Sequence, residues 1–328
     1  MFHALILHDD EQGFRSSIED LTLEDLPDGG DVLVEIEYSS LNYKDALAVT
    51  NRGKIVRAGF PFVPGIDLVG RVIESDSDRF DPGDVVVGTG GGLGESYWGG
   101  YAGMQRIHSE WLVSLSDSLS AREAMIIGTA GLTAALALMT LDKRGVSKDA
   151  GNIVVTGATG GVGVFSVLLL SKAGYRVTAS TGKSDAHEYL HSIGAEEVIH
   201  RDILRGGASK PMDSARWAGA IDIVGGSTLE AVISQTDRHG CIAACGNAGG
   251  AELHTSVYPF ILRGINLCGI DSNTCPVPDR VLAWDRIASL ISSSELEGLS
   301  STITLPEIAE QSWRLLAGEI TGRTLVEL

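Results

Sequence analysis

Cysteine is scarce, with four in 328 residues, and no two of Cys241, Cys245, Cys268 and Cys275 stand in Cys-x-x-Cys spacing. That excludes a disulfide-stapled scaffold and a cysteine-built zinc lobe, and a cytoplasmic location with buried, reduced thiols is expected. Positive charge is also short: 25 Lys and Arg face 43 Asp and Glu, a formal net charge of −18. Such a field argues against nucleic acid or an anionic membrane as partner, and an anionic ligand would need a local basic pocket. The first ten residues lack a basic n-region, and their apolar part is too short for a signal peptide, so they read as a strand. Long apolar runs are almost absent. Ala124 to Leu141 is the exception, eighteen residues without a charge, near the lower limit for a membrane span. Its Ala, Gly and Thr content and its flanks, Glu123 and Asp142, make a buried helix the expectation.

What is present describes an ordinary globular chain long enough for two domains, with 44% hydrophobic and 21% charged residues. Its 41 glycines anticipate tight turns and close backbone approaches. One stretch organises the rest: Asn152-Ile-Val-Val-Thr-Gly157-Ala-Thr-Gly160-Gly161-Val-Gly163, then an apolar run closed by Gly174. The β-branched run predicts a doubly buried strand, the glycines a turn, and Val164, Val167, Leu168 and Leu170 a helix. Strand, glycine turn and helix place free N–H groups and a helix N-terminus against a pyrophosphate. The glycines lie one residue wider than Gly-x-Gly-x-x-Gly, and a plain tight βα turn is the alternative.

Residues 1–120 read as β-rich. Val32, Val34, Ile36 and Tyr38 alternate with Leu33, Glu35 and Glu37, Asp81-Pro-Gly-Asp84 is a turn, and Val85 to Val87 a buried strand. Eight glycines from Gly88 to Gly103, mixed with Tyr97, Trp98 and Tyr101, predict a loop near a ligand, or mere punctuation between strands. Composition shifts at Ser120, where Ser120 and Glu123 form a capping-box pattern, as Asp185 and Glu188 do later. From there strands (175–180, 198–199, 219–224, 240–245) alternate with helices, which implies a parallel, doubly wound Rossmann sheet over 121–264. The tail, 265–328, holds a strand near Cys268, two helical patterns and a last strand, and is expected to return to the first body. The cleft between the two bodies is the default active site.

An NAD site of this kind carries Asp or Glu at the tip of its second strand. Here that tip is Ser180-Thr181-Gly182-Lys183, without a carboxylate. Thr181 can donate from its hydroxyl, Lys183 suits a 2′-phosphate, Asp185 suits a helix cap, and Arg201 offers a second cation unless it is a solvated loop charge. NADPH is therefore expected.

Two further stretches set polar residues into apolar order, Ser39-Ser-Leu-Asn-Tyr-Lys-Asp-Ala46 and Pro64-Gly-Ile-Asp-Leu-Val-Gly70. With the Gly157 motif and Gly322-Arg-Thr-Leu-Val326, they resemble the medium-chain dehydrogenase/reductase superfamily along the whole chain. The resemblance is to its zinc-less, quinone oxidoreductase-like branch, and within that to the acryloyl-CoA reductase (NADPH) family. Ser40-Leu-Asn-Tyr-Lys-Asp-Ala-Leu47, Trp217-Ala-Gly-Ala-Ile-Asp222, Ala243-Ala-Cys-Gly246 and Pro259-Phe-Ile-Leu-Arg263 carry it. The resemblance implies a GroES-like β-rich catalytic domain beside the Rossmann domain. Zinc-dependent members carry Cys in the Asn42/Tyr43 region and Gly-His-Glu where this chain has Gly65-Ile66-Asp67, so metal-free chemistry is implied. The implied reaction is reduction of acryloyl-CoA to propanoyl-CoA, with NADPH hydride delivered to the β-carbon, an enolate formed on the thioester, and the α-carbon then protonated.

Tyr43 is the candidate donor to that enolate or to the cofactor, with core packing as its alternative. Asn42 and Asp67 are candidates to hold the constellation, Asp67 with Lys44 or Arg323, and a purely structural role is the alternative for both. The resemblance implies cofactor contacts at Thr159, Gly160, Gly161, Val162, Thr181, Gly182, Lys183, Arg201, Asn247, Ile261 and Ser272. Arg52, Lys54, Arg57 and Arg263 are the cations available for coenzyme A phosphates. Other readings are an NADPH:quinone or general enone reductase and a non-catalytic NADPH-binding protein. A homodimer paired through the strand at Leu267 to Ile270 is also expected.

Overall fold

The computed structural model describes residues 1–328. The chain divides into two units, one of Met1–Thr129, Asn273–Val281 and Ser292–Leu328, the other of Ala130–Ser272 and Leu282–Ile291. The expected breaks were at 120 and 264.

The first unit is β-rich. Strands β1 (Phe2–Asp10) and β2 (Gly13–Leu21) form an antiparallel hairpin. The main sheet holds β3 (Val32–Leu41), β4 (Asp67–Ser75), β5 (Val85–Thr89), β6 (Met104–Ile107), β7 (Leu112–Ser114), β14 (Ser300–Thr304) and β15 (Arg323–Glu327). Its order is β14-β15-β3-β4-β5-β7, with β6 also on β3. The Asp81–Asp84 turn forms as read: Gly83 has φ +101° and the Asp84 carboxylate accepts from Asp81 N at 2.9 Å. In β3, Leu33 does not alternate outward but is buried with Val32 and Val34, so that end is covered on both faces while Glu35 and Glu37 stay exposed. Helices α1 (Tyr43–Val49), α9 (Ser293–Glu297) and α10 (Ile308–Leu316) belong here. Ala46, Ala48 and Val49 of α1 share a core with Ile303, Ile308 and Val326.

Helix α2 (Ala121–Lys143) opens on the Ser120–Glu123 capping box, with Ser120 N and Oγ both donating to Glu123 at 2.7 Å. Its apolar run is a core helix, 78% buried over its most apolar window. The helix breaks at Gly128, φ 48° and ψ −158°.

The second unit is a six-stranded, all-parallel sheet of order β10-β9-β8-β11-β12-β13. The strands are β8 (Asn152–Val155), β9 (Arg176–Thr181), β10 (Glu197–His200), β11 (Trp217–Asp222), β12 (Thr236–Ala244) and β13 (Asn266–Gly269). The connecting helices are α3 (Gly161–Lys172), α4 (His187–Ser192), α5 (Asp202–Arg205), α6 (Gly226–Gln235) and α7 (Tyr258–Arg263), and α8 (Val277–Leu290) follows β13. This order reverses between β8 and β11, the switch point at which such sheets open a ligand crevice. The strand near Cys268 is the sheet's sixth, so the second unit runs on to Ser272. Asp185 does not cap a helix: it lies inside a short 3₁₀ turn, Ser184–Ala186, so Ala186 rather than Asp185 takes the N-cap position of α4, which has no side-chain cap. The four cysteines are free, with Cys241 and Cys268 sulfurs 3.9 Å apart.

The tightest approach of α3 to its strand is at Gly163, where a Cβ would lie 2.3 Å from the Gly157 carbonyl oxygen. Gly163→Ala should cost about 3 kcal/mol of unfolding free energy in a urea titration, since backbone must move to admit the methyl. An unchanged midpoint would show that the turn yields freely.

Candidate functional site

In the first unit, β3 runs into α1 through Asn42. This residue caps the helix while Asp45, three residues on, accepts from Asn42 N at 2.9 Å in a capping box. The cap fixes the start of α1, so Tyr43 emerges at the first helical position, 44% exposed. Behind it lies a dry polar cluster. Asp67, at the start of β4 and fully buried, accepts at Oδ2 from Ser40 Oγ (2.6 Å), Asn42 Nδ2 (2.8 Å) and Thr129 N (2.9 Å), and at Oδ1 from Thr129 Oγ1 (2.5 Å). Arg323, opening β15, donates to Ile126 O (2.9 Å), Asn42 Oδ1 (3.0 Å) and Ser40 Oγ (2.8 Å), with Nη2 3.8 Å from Asp67.

Of the two partners considered for Asp67, the structure selects Arg323. Lys44 instead bonds Glu95 at 2.6 Å. Asn42 and Asp67 therefore sit inside the network that supports α1, and Tyr43 alone of the three stands at the surface. Sequence reasoning passed over four members of this cluster. Gly128 is one: a Cβ there would lie 2.5 Å from Asp67 Oδ2 and 2.8 Å from Arg323 Nη2. The others are Thr129, Tyr101 (hydroxyl to Ser40 O, 3.1 Å) and Asp45. The capping-box spacing of Asn42 and Asp45 is the signal that could have marked Asp45.

The charges do not cancel, with two carboxylates and one guanidinium in one buried site. Burial, reinforced by neighbouring Asp67, lifts the Asp45 carboxyl from 3.8 to about 7. Burial likewise lowers the Arg323 pKa, against the pull of Asp67 and Asp45, and raises that of Tyr101 well above the phenol value.

In the second unit, the Gly157 turn (φ +61°) leads from β8 into α3, whose N-cap is Gly160. Thr159, Gly160, Gly161 and Val162 thus lie at the N-terminus of a twelve-residue helix, where free backbone N–H groups can receive an anion. Buried Asp222, which the sequence did not single out, sits behind this turn. It accepts from Thr156 Oγ1 at 2.7 Å and Gly225 N at 2.8 Å, and burial raises its pKa. The tip of β9 adjoins the turn: Thr159 and Thr181 hydroxyls are 3.3 Å apart. Arg201 N donates to Thr181 O at 2.8 Å, and its side chain packs over Gly182, where a Cβ would meet Nε at 2.6 Å. Lys183 is half-buried, and burial lowers its pKa. Thr159, Thr181, Gly182, Lys183 and Arg201 are thereby brought together. Asn247 is exposed beyond β12, Ser272 accepts from Thr133 Oγ1 at 2.8 Å, and Ile261 lies on α7, 68% exposed. Arg263 is spent on structure, donating to Ser234 O, Thr236 O and Asp213 O.

The Asp45 carboxyl holds its proton to higher pH when folded than when unfolded, so its contribution to stability is full below pH ~4 and is lost as pH rises through 7. Between pH 4 and 7.5 the stability of the wild type relative to Asp45→Asn should fall, by at most about 4 kcal/mol. Denaturant midpoints measured across that range check this, and parallel pH profiles would rule it out.

The family model for the alcohol dehydrogenase GroES-like domain matches residues 28–117, and that for zinc-binding dehydrogenase matches 161–289. The zinc of the second description does not fit these residues, since no group of three or more His, Cys, Asp or Glu side chains is placed to hold a metal ion. The acrylyl-CoA reductase of Ruegeria pomeroyi is 42% identical over 100% of this chain and 99% of its own. The Escherichia coli K-12 protein YHDH, crystallised with bound NADPH, is 46% identical, with 99% of both chains covered and a TM-score of 0.95. A Bacillus subtilis protein solved with NAD bound is 41% identical over 100% of this chain and 99% of its own, also with a TM-score of 0.95. The chain therefore belongs to the acrylyl-CoA reductase family of the medium-chain dehydrogenase/reductase superfamily.

Proposed function

We propose that the protein reduces the carbon–carbon double bond of acryloyl-CoA to give propanoyl-CoA, with NADPH as reductant and no metal. The observation that carries this reading is the full-length likeness to the Ruegeria acrylyl-CoA reductase. The cofactor site supports it: Thr181, Lys183 and Arg201 lie at the tip of β9, whose own residues Ser180 to Lys183 carry no carboxylate, which suits a 2′-phosphate, and the N-terminus of α3 suits a pyrophosphate. When bound, NADPH supplies the hydride for the β-carbon.

The chain's own part is to place and polarise the thioester. Charge builds on the thioester oxygen as the enolate forms, and Tyr43 is the donor assigned to it, held at the head of α1 by the Asn42 cap. Asn42, Asp67 and Arg323 are positioning residues, since their polar atoms are used on one another. Asn247, Ile261 and Ser272 remain proposed cofactor contacts. The free thiols suit a reducing compartment, the cytoplasm.

A homodimer is part of the proposal. Strand β13 ends the sheet with an unpaired edge, and Val257, with Tyr258 and Leu262 of α7, is 50% or more exposed. Light scattering at micromolar protein should give twice the 34.6 kDa chain mass; a monomer removes the idea.

Steady-state oxidation of NADPH and NADH with acryloyl-CoA, crotonyl-CoA, free acrylate and a simple quinone tests the activity. Rapid turnover confined to NADPH with acryloyl-CoA is expected. Quinone turnover indifferent to the thioester would move the protein to a general reductase, and equal use of NADH would overturn the Lys183 argument. Binding of NADPH without turnover of any acceptor would make it a binding protein. Tyr43→Phe should lower kcat about a hundredfold, the scale of losing one oxyanion donor. Lys183→Gln should raise the KM for NADPH about tenfold and leave that for NADH unchanged.

A further inference from the structure

Residues 46–66 hold three cations, Arg52, Lys54 and Arg57, and no acid, in a chain with a net charge of −18. All three lie in the loop that leaves α1, and all three are exposed. The loop is held in shape from within. Arg52 N and Gly53 N donate to Leu47 O at 3.0 and 3.3 Å, Arg57 N donates to Glu95 O at 2.7 Å, and Ile55 and Val56 pack on the core of the first unit. Because the apolar pair points inward, the three basic side chains point outward. The acid nearest them, Glu95, is buried and already bonded to Lys44, with Arg57 at 3.8 Å. Beside the loop, Arg52 lies over the ring of Trp313 on α10, 4.9 Å from its centroid, and that tryptophan is 49% exposed.

We propose that Arg52, Lys54, Arg57 and Trp313 bind the nucleotide end of coenzyme A, its diphosphate and 3′-phosphate on the cations and its adenine on the indole. This rests on the reading of the substrate as an acyl-CoA. Three exposed cations within six residues span at most about 20 Å of chain, a scale suited to phosphates at two ends of one nucleotide. Arginine takes phosphate through two parallel N–H donors, lysine as a point charge, and an exposed tryptophan offers a face for a base to stack on. The position agrees with the site: Tyr43 opens α1 and Arg52 follows its end, about 10 Å of helix away at 1.5 Å per residue. In an acyl-CoA the thioester and the nucleotide are likewise separated, by the pantetheine arm. The fourth cation considered for this role, Arg263, is excluded by its three carbonyl partners.

The test compares acryloyl-CoA with acryloyl-pantetheine, which lacks the nucleotide, in wild type and in an Arg52→Gln, Lys54→Gln, Arg57→Gln triple variant. The wild-type preference for the CoA ester in kcat/KM should shrink tenfold or more in the variant, and Trp313→Ala should shrink it further. An unchanged preference overturns the proposal. Calorimetry with adenosine 3′,5′-bisphosphate, against inorganic phosphate at matched ionic strength, separates this from the substrate reading. Bisphosphate binding that the triple variant loses supports the nucleotide site even if acryloyl-CoA proves not to be reduced. No bisphosphate binding, or binding no better than phosphate, overturns it.

Discussion

The first unit turns on one buried ion pair. Asp67 and Arg323 lie in the break of α2 at Gly128, and each satisfies the end of the helix that matches its charge. Arg323 donates to the carbonyl of Ile126, where the first segment ends, and Asp67 accepts from Thr129 N, where helix resumes. An interrupted helix leaves orphan carbonyls on one side and orphan N–H groups on the other, with partial charges of opposite sign. A carboxylate and a guanidinium in the gap answer both. Gly128 is required because any Cβ would occupy the space those two side chains fill. Through Ser40 and Asn42 the same pair also ties β3 and the start of α1 to β4 and β15.

Such a cluster is costly to desolvate, and removing one member of a buried pair typically costs about 3–5 kcal/mol. That cost is offset by a network in which Asn42 uses both ends of its amide. Its Nδ2 lies within 3.1 Å of Asp45 and 2.8 Å of Asp67, while its Oδ1 accepts from Arg323. Burial, with Asp67 beside it, lifts the Asp45 pKa, so the cluster tends toward the state in which one carboxyl is neutral against the single guanidinium. The result is a rigid floor under α1 and a fixed place for Tyr43. Rigid support under a polar surface group is what electrostatic stabilisation of an enolate needs, because the donor then pays no reorganisation as charge develops.

The second unit answers a different requirement, that of receiving a polyanionic dinucleotide in a strongly acidic chain. In the proposed reading it does so with backbone at the head of α3, with Arg201 packed over Gly182 and with Lys183 beside it. Asp222 stiffens the turn from behind without presenting its charge to the crevice.

Much of this was legible without coordinates, where it depends on neighbours in sequence. The Gly157 turn, the alternating strands and helices, the Ser120 cap and the missing carboxylate after Thr181 are local patterns, set by backbone sterics and by periodicity. The strand tip Ser180 to Lys183 likewise pointed to Lys183 as a cation for a phosphate. Contacts between distant segments were not legible. Nothing in the spacing of Asp67 and Arg323, 256 positions apart in the numbering, chooses Arg323 over Lys44, which is far nearer in sequence. Only the antiparallel pairing of β15 with β3 brings the guanidinium in, and only Glu95, delivered by the glycine loop, draws Lys44 away. The same holds for Gly128, whose reason is the volume of two side chains from other strands, and for Arg263, whose charge is consumed by carbonyls of α6, β12 and the loop before β11. The sequence by itself determined which elements form and which cofactor chemistry the Rossmann turn admits, because those follow from short-range sterics and donor inventory. Tertiary structure alone decided which charges are spent on the fold and which are left for a ligand, because that depends on which segments the sheets bring within hydrogen-bond reach.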